Sequence, residues 1–431
     1  GLVRSFFRRY ISIRRSAFES NGMQKVVFDE PYEFVPPYRG RFWSWAVGIY
    51  LPRLLRKRFG ITGWECHQLD RLRASLDAGH GIILCPNHTR LSDPLMSGAI
   101  TTATGCHAFA MASWHVFKQN WLEAFVCHRV GGFSVYREGL DRKALDTAIG
   151  IVATAERPLI IFPEGGISAA NDRLMTLMEG TSFVARAAAR KRAKTHPQSK
   201  VVIHPVAFRY EHRADPQEAL SPVVTQLEQH LFWQTQEQLP LIDRIERIRR
   251  ALQSTREVQW MGHAKAGDVE QRIAELVNEI LQTYETEWLG KTRIGNVIAR
   301  VKDLRTAILA DMVANKVDEG ERKRRWRQLT DLYYAQALSL HPKGYLDPNI
   351  DRKRLNHRLF ETVERLEEEL TDKVTLYNDL HVDIRIGEAI DVDASAKRSR
   401  NGDPLMATLR SSMLDLLGIE DQWPPVPVTE C

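Results

Sequence analysis

The chain contains 431 residues, of which 43% are hydrophobic and 26% are charged. This composition is too apolar for a disordered protein, and the length predicts two or three domains that each bury a core. The formal net charge is +6, but residues 1–60 alone carry 12 basic and 4 acidic side chains. The positive charge is concentrated in this N-terminal part. This distribution favours a protein that contacts an anionic surface over one that is coated with nucleic acid.

Residues 1–40 are predicted to form a basic amphipathic arm. Apolar side chains fall near one helical face and arginines on another: Val3, Phe6, Phe7, Tyr10, Ile13 and Ala17 against Arg4, Arg8 and Arg15. This pattern is typical of a helix in the headgroup region of a bilayer. A basic tail without structure and an organellar transit peptide have the same composition, so all three interpretations stay open.

No segment is predicted to cross a membrane. The most apolar stretch, 42–52, lies between Arg41 and Arg53 and is far shorter than the roughly 20 residues that a span needs. Residues 94–117 carry no formal charge but contain Pro, Gly, Ser and His, and we interpret them as a buried helix followed by a strand. The five cysteines show neither disulfide nor metal-site spacing, which favours a reducing compartment. We therefore expect a cytoplasmic protein, peripheral on the membrane face.

Apolar runs that alternate with amphipathic segments predict an α/β domain. An extended linker over 31–41 and an aromatic, basic helix over 41–59 come first. The runs cover 81–87, 107–114, 131–136, 158–163 and 201–208, and the helical patterns cover 91–100, 117–128, 141–156 and 172–194. Continuous apolar strands separated by helices predict a mostly parallel sheet flanked by helices on both faces.

Residues 213–379 are predicted to be a large all-helical insertion, because they are rich in Glu, Arg, Leu and Gln with helical periodicity. We detect no internal repeat in the sequence. Strand-like alternation returns over 382–392, followed by a last helix near 405–417. The predicted α/β domain therefore comprises 41–212 and 380–420, with a tail over 421–431.

A histidine follows the first of the buried runs. Cys85-Pro86-Asn87-His88 ends that strand and places His88 at the carboxyl edge of the sheet, where open α/β folds bind ligands. Asp93 can reach it only if His88 lies in the turn and Asp93 in the first turn of the next helix. A carboxylate that accepts from one imidazole nitrogen makes the other more basic, so the pair could activate a hydroxyl group. The same spacing at His263 and Asp268 follows no apolar strand, and we interpret it as chance.

Three further patterns accompany this pair. Phe162-Pro163-Glu164-Gly165-Gly166 ends another buried strand, and its loop could present backbone N–H groups to an anion or be a plain turn. Gly131-Gly132-Phe133 leads to Arg137, which could grip a phosphate or form a surface salt bridge. His204-Pro205 lies inside a strand, where a proline predicts an edge or irregular position; we expect His204 to be structural.

Together these elements resemble the glycerolipid acyltransferase family of the 1-acylglycerol-3-phosphate O-acyltransferase type. The family pattern of NH-x4-D, G-x-F-x-x-R, FPEG and a strand with a proline is matched at 87–93, 131–137, 162–165 and 202–206. The resemblance covers about 41–212 and 380–420 and omits the helical insertion. It implies transfer of an acyl group from acyl-CoA or acyl-carrier protein to a hydroxyl of a lysophosphatidate or other lysophospholipid, with no metal or cofactor.

The resemblance also implies roles for particular residues. His88 is the implied general base, supported by Asp93, and no acyl-enzyme is expected. The implied substrate-binding residues are Asn87, Arg90, Gly131, Phe133, Arg137, Glu164, Gly165 and Arg173, with Pro205 on the donor side.

The chain departs from this family pattern in two places. The family's lysophosphatidate enzymes usually continue FPEG with Thr-Arg-Ser, whereas this chain has Gly166-Ile167-Ser168. Either Arg173 replaces the missing phosphate-binding arginine or the acceptor presents its charge differently. Arg90 stands where the family commonly has Ser, as an additional phosphate contact or an exposed residue at the helix start.

Other catalytic signatures are missing from the sequence, among them G-x-S-x-G, the Walker loop, G-x-G-x-x-G and H-E-x-x-H. The main alternative is a catalytically inactive relative that acts as a membrane-surface binding or interaction protein. A nucleic-acid-binding protein ranks below both, because the basic charge lies on one arm and no recognition fold is evident.

Overall fold

The structure is a computed structural model, and it describes residues 27–421 apart from 233, 343 and 396–401. The predicted amphipathic helix at the start of the chain therefore lies outside the described residues, as does nearly all of the predicted tail. The described part of the predicted linker, 31–41, has no regular structure.

Strands and helices alternate in the α/β part of the chain. The strands are β1 (Ile61–His67), β2 (Gly81–Pro86), β3 (Phe109–Ser113), β4 (Gly132–Val135), β5 (Leu159–Ile160), β6 (Val201–His212), β7 (Leu380–Ile386) and β8 (Ile390–Asp391). The helices are α1 (Phe42–Phe59), α2 (Leu69–Asp77), α3 (Asp93–Thr104), α4 (Val116–Gln119), α5 (Trp121–Arg129), α6 (Arg142–Thr154), α7 (Gly180–Thr195) and α14 (Pro404–Leu417). Between β6 and β7 lie α8 (Pro216–Leu231), α9 (Leu241–Met261), α10 (Val269–Leu289), α11 (Val297–Val313), α12 (Glu319–Ser339) and α13 (Arg352–Thr371).

Among the described residues, eight strands form one sheet in the order β1-β7-β6-β2-β5-β3-β4, with β8 also paired to β6. The pairings are parallel except those of β6 with β7 and with β8. The predicted fold class, a mostly parallel sheet flanked by helices with a large helical insertion, is confirmed. The division into domains at the predicted boundaries stays a prediction.

The central strand β2 is buried on both faces of the sheet. All six of its residues are buried. Ile83 and Cys85 pack in one apolar cluster with Phe109 and Phe133, whereas Ile82 and Leu84 pack in a second cluster on the other face. Side chains alternate along a strand, so a continuous apolar run is the sequence expected when helices cover both faces.

The sequence patterns missed or misplaced several elements. The edge strand β1 and helix α2 were not predicted, because β1 is mostly half-exposed and has no continuous apolar run. The helix predicted from Asp172 begins only at Gly180. Backbone groups in between bind other parts of the chain: the carbonyls of Leu174 and Met175 accept from Arg410, and this tertiary pairing replaces a helical turn. The helix predicted over 117–128 is divided where Asn120 adopts extended geometry and caps α5.

Pro205 lies inside the sheet, so an edge position was the wrong alternative and an irregular position the right one. On one side β6 pairs with β2 along its first half. On the other side its partner changes from β8, at Val202 and Ile203, to β7, from Val206 onward. Because the change falls at Pro205, the missing N–H of the proline interrupts no regular ladder.

The helical segment contains a repeated ion-pair arrangement that the sequence analysis did not detect. Three fully buried glutamates each accept from a backbone N–H eight residues later and from an arginine on the following helix. The sets are Glu228 with Gln236 and Arg244, Glu257 with Lys265 and Arg272, and Glu285 with Arg293 and Arg300. A buried carboxylate needs such partners, so the arrangement fixes the connection between successive helices from α8 to α11.

None of the described helices is both long and apolar enough to cross a membrane.

Candidate active site

The turn after β2 is held in place by Asn87. Its side-chain oxygen accepts from the Phe208 N–H at 2.7 Å, and its Nδ2 donates to the Phe208 carbonyl and to Thr89 Oγ1, both at 3.0 Å. Asn87 is fully buried. These contacts tie the turn to β6, so the structure gives Asn87 a positioning role. Its implied contact with the substrate stays a prediction.

The structure brings His88 and Asp93 together. His88 lies in the turn, Asp93 is the first residue of α3, and His88 Nδ1 is 2.9 Å from Asp93 Oδ2. Since an ionised carboxylate only accepts, the proton lies on Nδ1 in neutral His88 and Nε2 has the free lone pair. The imidazole packs on the Phe162 ring, with 4.3 Å between the centroids, and its side chain is 16% exposed. A basic nitrogen within reach of solvent is what a general base requires.

Asp93 is itself held by three further donors. Its Oδ2 accepts from the Thr89 and Arg90 N–H groups at 2.6 and 2.8 Å, and its Oδ1 accepts from the Tyr210 hydroxyl. Tyr210 also lies 2.9 Å from Ser92 Oγ. Charge-assisted bonds of this kind stabilise an ionised carboxylate in a site where it is fully buried. Tyr210 was missed from the sequence, because nothing local in β6 marks it as the residue opposite α3.

The loop that follows β5 holds the backbone on both sides of His88. Glu164 accepts from the His88 N–H at 2.6 Å and from the Met175 N–H at 2.8 Å, and Ser168 N–H donates to the His88 carbonyl at 2.7 Å. Burial raises the pKa of Glu164 to about 7, although the two N–H donors act in the opposite direction. Glu164 thus binds the backbone that carries His88 and helps to position it. Its implied substrate contact stays a prediction.

In the turn before β4, the close approach of two backbone segments requires glycine. Gly131 has φ +104°, and a Cβ at this position would lie 2.9 Å from the Ala108 carbonyl. Phe133 is fully buried in the core beneath the sheet. Its ring has no accessible surface in this structure, and its implied role in substrate binding stays a prediction. Arg137 lies beside the loop after β5, and its Nη2 is 3.7 Å from where a Cβ on Gly165 would lie.

Two of the implied phosphate-binding arginines contact the helical insertion. Arg90 Nη2 is 2.9 Å from Glu364 Oε2 on α13, and its guanidinium lies 5.5 Å from the centre of the Tyr210 ring. Arg90 is therefore not an exposed helix-start residue, and its implied phosphate contact stays a prediction. Arg173 is only 1% exposed, and its Nη2 donates to the Ser339 carbonyl at 3.1 Å. Burial, and then the charge of Arg365, lowers the pKa of Arg173 to about 9.

The two remaining motif residues in β6 are buried in the fold. His204 is fully buried, with Nδ1 3.0 Å from the Gly387 carbonyl and Nε2 2.9 Å from Ser75 Oγ, so its two nitrogens are used within the fold. Pro205 is buried in the same strand. The sheet and Gly387 cover Pro205, and its implied role on the donor side stays a prediction.

The second His-x4-Asp spacing forms no pair. His263 Nδ1 is bonded to the Met261 carbonyl, whereas Asp268 caps α10 through the Gln271 N–H, and both residues are exposed. Only the first spacing has a buried strand before it and a loop that holds the histidine backbone. The described residues contain no group of three or more His, Cys, Asp or Glu able to hold a metal ion.

A mostly parallel sheet that presents a His–Asp pair at its carboxyl edge, with a second loop holding the histidine, is an arrangement that can perform general-base chemistry on a hydroxyl group. Residues 63–209, from β1 into β6, match the model of the Acyltransferase family. This part of the chain is therefore an acyltransferase domain, and the family resemblance is confirmed there. No curated protein matches the chain.

Proposed function

We propose that the protein transfers a fatty acyl group from an acyl thioester to a hydroxyl of a glycerolipid acceptor of the 1-acylglycerol-3-phosphate type. The observation that carries the proposal is the His88–Asp93 pair at the carboxyl edge of a domain that matches the Acyltransferase family. His88 Nε2 accepts the hydroxyl proton while the oxygen attacks the thioester carbonyl, forming the C–O bond. The C–S bond then breaks, and the proton passes to the departing thiolate.

A panel of acceptors tests this activity. Purified protein is incubated with long-chain acyl-CoA, and free thiol is measured with lysophosphatidate, a choline lysophospholipid, glycerol 3-phosphate or monoacylglycerol as acceptor. We expect the fastest thiol release with lysophosphatidate and a diacylated product by mass spectrometry. Thiol release at the same rate without any acceptor, or no product with any of them and with either acyl-CoA or acyl-carrier protein as donor, would contradict the proposal.

We further propose that α1 lies on an anionic membrane surface at the cytoplasmic face. Phe42, Trp45 and Ile49 are 57%, 60% and 59% exposed and fall on one side of this helix. Exposed Arg53 and Arg56 lie one and two turns further along. Aromatic and aliphatic side chains beside cations are the composition of an interfacial helix, in which the rings enter the headgroup region and the arginines bind lipid phosphates.

Replacing Phe42, Trp45 and Ile49 together by serine is expected to weaken sedimentation with phosphatidylglycerol vesicles by at least about tenfold, because three apolar side chains lose their burial in lipid. The matched control is Ile294→Ser, which removes a fully exposed isoleucine from the helical insertion. Equal vesicle binding by the triple variant and the control would refute the role of α1.

A further inference from the structure

Two arginines from distant parts of the chain come together beside the loop after β5. Arg137 follows β4, and Arg305 lies in the middle of α11 of the helical insertion. The residues that follow these two arginines contact each other: Thr306 Oγ1 donates to the Glu138 carbonyl at 2.9 Å. The helical insertion thereby brings the positive side chain of Arg305 close to Arg137.

Neither of the two guanidinium groups has a partner among the described residues. Arg305 is only 9% exposed, and its Nε is buried without any hydrogen bond. Arg137 and Arg305 form no hydrogen bond or ion pair with the described part of the chain, and the Glu138 carboxylate is beyond ion-pair distance from both. A buried cation without an anion is costly, so the buried Arg305 near the half-buried Arg137 indicates a place for an anionic ligand.

The electrostatic environment agrees with this geometry. Burial and the nearby charge of Arg137 lower the pKa of Arg305 to about 10, although Glu138 acts in the opposite direction. Burial and the same two arginines lower the pKa of His115 to about 4. His115 is therefore neutral at pH 7, and its Nδ1 is 2.8 Å from Ser113 Oγ. The three side chains form a positively charged cluster, and this cluster is the phosphate pocket proposed below.

We propose that Arg305, together with Arg137, binds the phosphate monoester of the acyl acceptor, so that a residue of the helical insertion selects a dianionic head group. This inference rests on the proposed acyltransferase function. Two guanidinium groups match the two charges of a phosphate monoester, whereas a phosphodiester has one charge. The substrate class is thereby a lysophosphatidate-like acceptor.

The position of the pocket favours the acceptor over the donor as the source of the phosphate. Arg137 lies beside Gly165, and Glu164 and Ser168 of the same loop hold the backbone of His88. The phosphate is thus bound one loop away from the base. In a glycerol phosphate, the reacting hydroxyl and the phosphate belong to one glycerol unit. In acyl-CoA, the whole pantetheine arm and a diphosphate separate the thioester from the terminal phosphate monoester.

The pocket also accounts for the missing arginine after FPEG. This chain has Gly166-Ile167-Ser168 there, and Arg173 is almost fully buried against the Ser339 carbonyl. Arg305 lies near Arg137, which is beside the same loop. In the proposed pocket, α11 therefore supplies the positive charge that this loop lacks.

Arg305→Ala tests the proposal by steady-state kinetics. We expect the KM for lysophosphatidate to rise by about tenfold to a hundredfold with kcat changed by less than about threefold, because one charge-assisted phosphate contact is lost. The KM for acyl-CoA and the rate with monoacylglycerol should not change. Lys302→Ala is the control, since it removes an exposed cation from the preceding turn of the same helix. An unchanged KM for lysophosphatidate, or a rise in the KM for acyl-CoA instead, would overturn the proposal.

Thermal unfolding provides a measurement that does not depend on catalysis. Inorganic phosphate is expected to raise the Tm of the wild type and of Lys302→Ala, but not that of Arg305→Ala. Without phosphate, Arg305→Ala should be at least as stable as the wild type, because it removes an uncompensated buried charge. A wild type that gains Tm from phosphate but transfers no acyl group would refute the proposed function and support the pocket. Equal phosphate shifts in all three proteins would refute the pocket.

Discussion

Replacing His88 by alanine is expected to lower kcat for acyl transfer by about two to four orders of magnitude, because a positioned general base contributes that much to proton transfer. Its Nδ1 is bonded to Asp93, so Nε2 is left to accept the proton of the acceptor hydroxyl. Thiol release from acyl-CoA with lysophosphatidate as acceptor measures the effect. The KM values should change little, since the imidazole acts on the reacting proton and contributes little to binding.

The matched control is His263→Ala, which removes a histidine from the same His-x4-Asp spacing without removing an ion pair. It should retain wild-type activity. Activity of His88→Ala equal to that of the control would contradict general-base catalysis by His88. If the wild type is equally inactive but binds anionic vesicles, the alternative of a catalytically inactive membrane-binding relative is supported instead.

The second large effect is expected for Asp93→Asn, with kcat lowered by about a hundredfold or more. Asparagine is nearly isosteric, so its oxygen can still accept from the Thr89 and Arg90 N–H groups that now bind Asp93 Oδ2. Its amide can donate to the Tyr210 hydroxyl, which now donates to Oδ1. The turn is preserved and the negative charge beside the imidazole is lost. The charge, and not the shape of the turn, is therefore what this substitution tests.

The test of Asp93→Asn requires measurements of both Tm and kcat. The Tm of Asp93→Asn should stay close to that of the wild type, whereas kcat falls. Asp268→Asn serves as the control, because Asp268 only caps α10 and asparagine is an equally good capping residue. Wild-type kcat in Asp93→Asn would show that the carboxylate does not support His88. A large fall in Tm would show that the charge is needed for folding of the turn.

Local sequence patterns determined much of the fold and the order of the site residues. The apolar run of β2 gives a strand covered on both faces, and Asn87-His88 at its end gives a histidine at the carboxyl edge. The positions of these residues follow from the hydrophobic periodicity and from the place where the strand ends. Both depend only on residues that are close together in the sequence. The glutamate–arginine repeat of the insertion recurs at a nearly constant interval, so a search for spaced charge pairs would have found it.

The sequence by itself determined the class of sheet, the helical insertion and the place of the histidine. Only the tertiary structure decided that Tyr210 binds Asp93, that Arg90 pairs with Glu364 and that Arg305 reaches Arg137. These contacts join elements whose separation along the chain is large, and they depend on how β6, α11 and α13 pack against the edge of the sheet. Hydrophobic periodicity predicts which face of a helix is buried. The partner of a buried charge depends instead on how the helices and strands pack against one another.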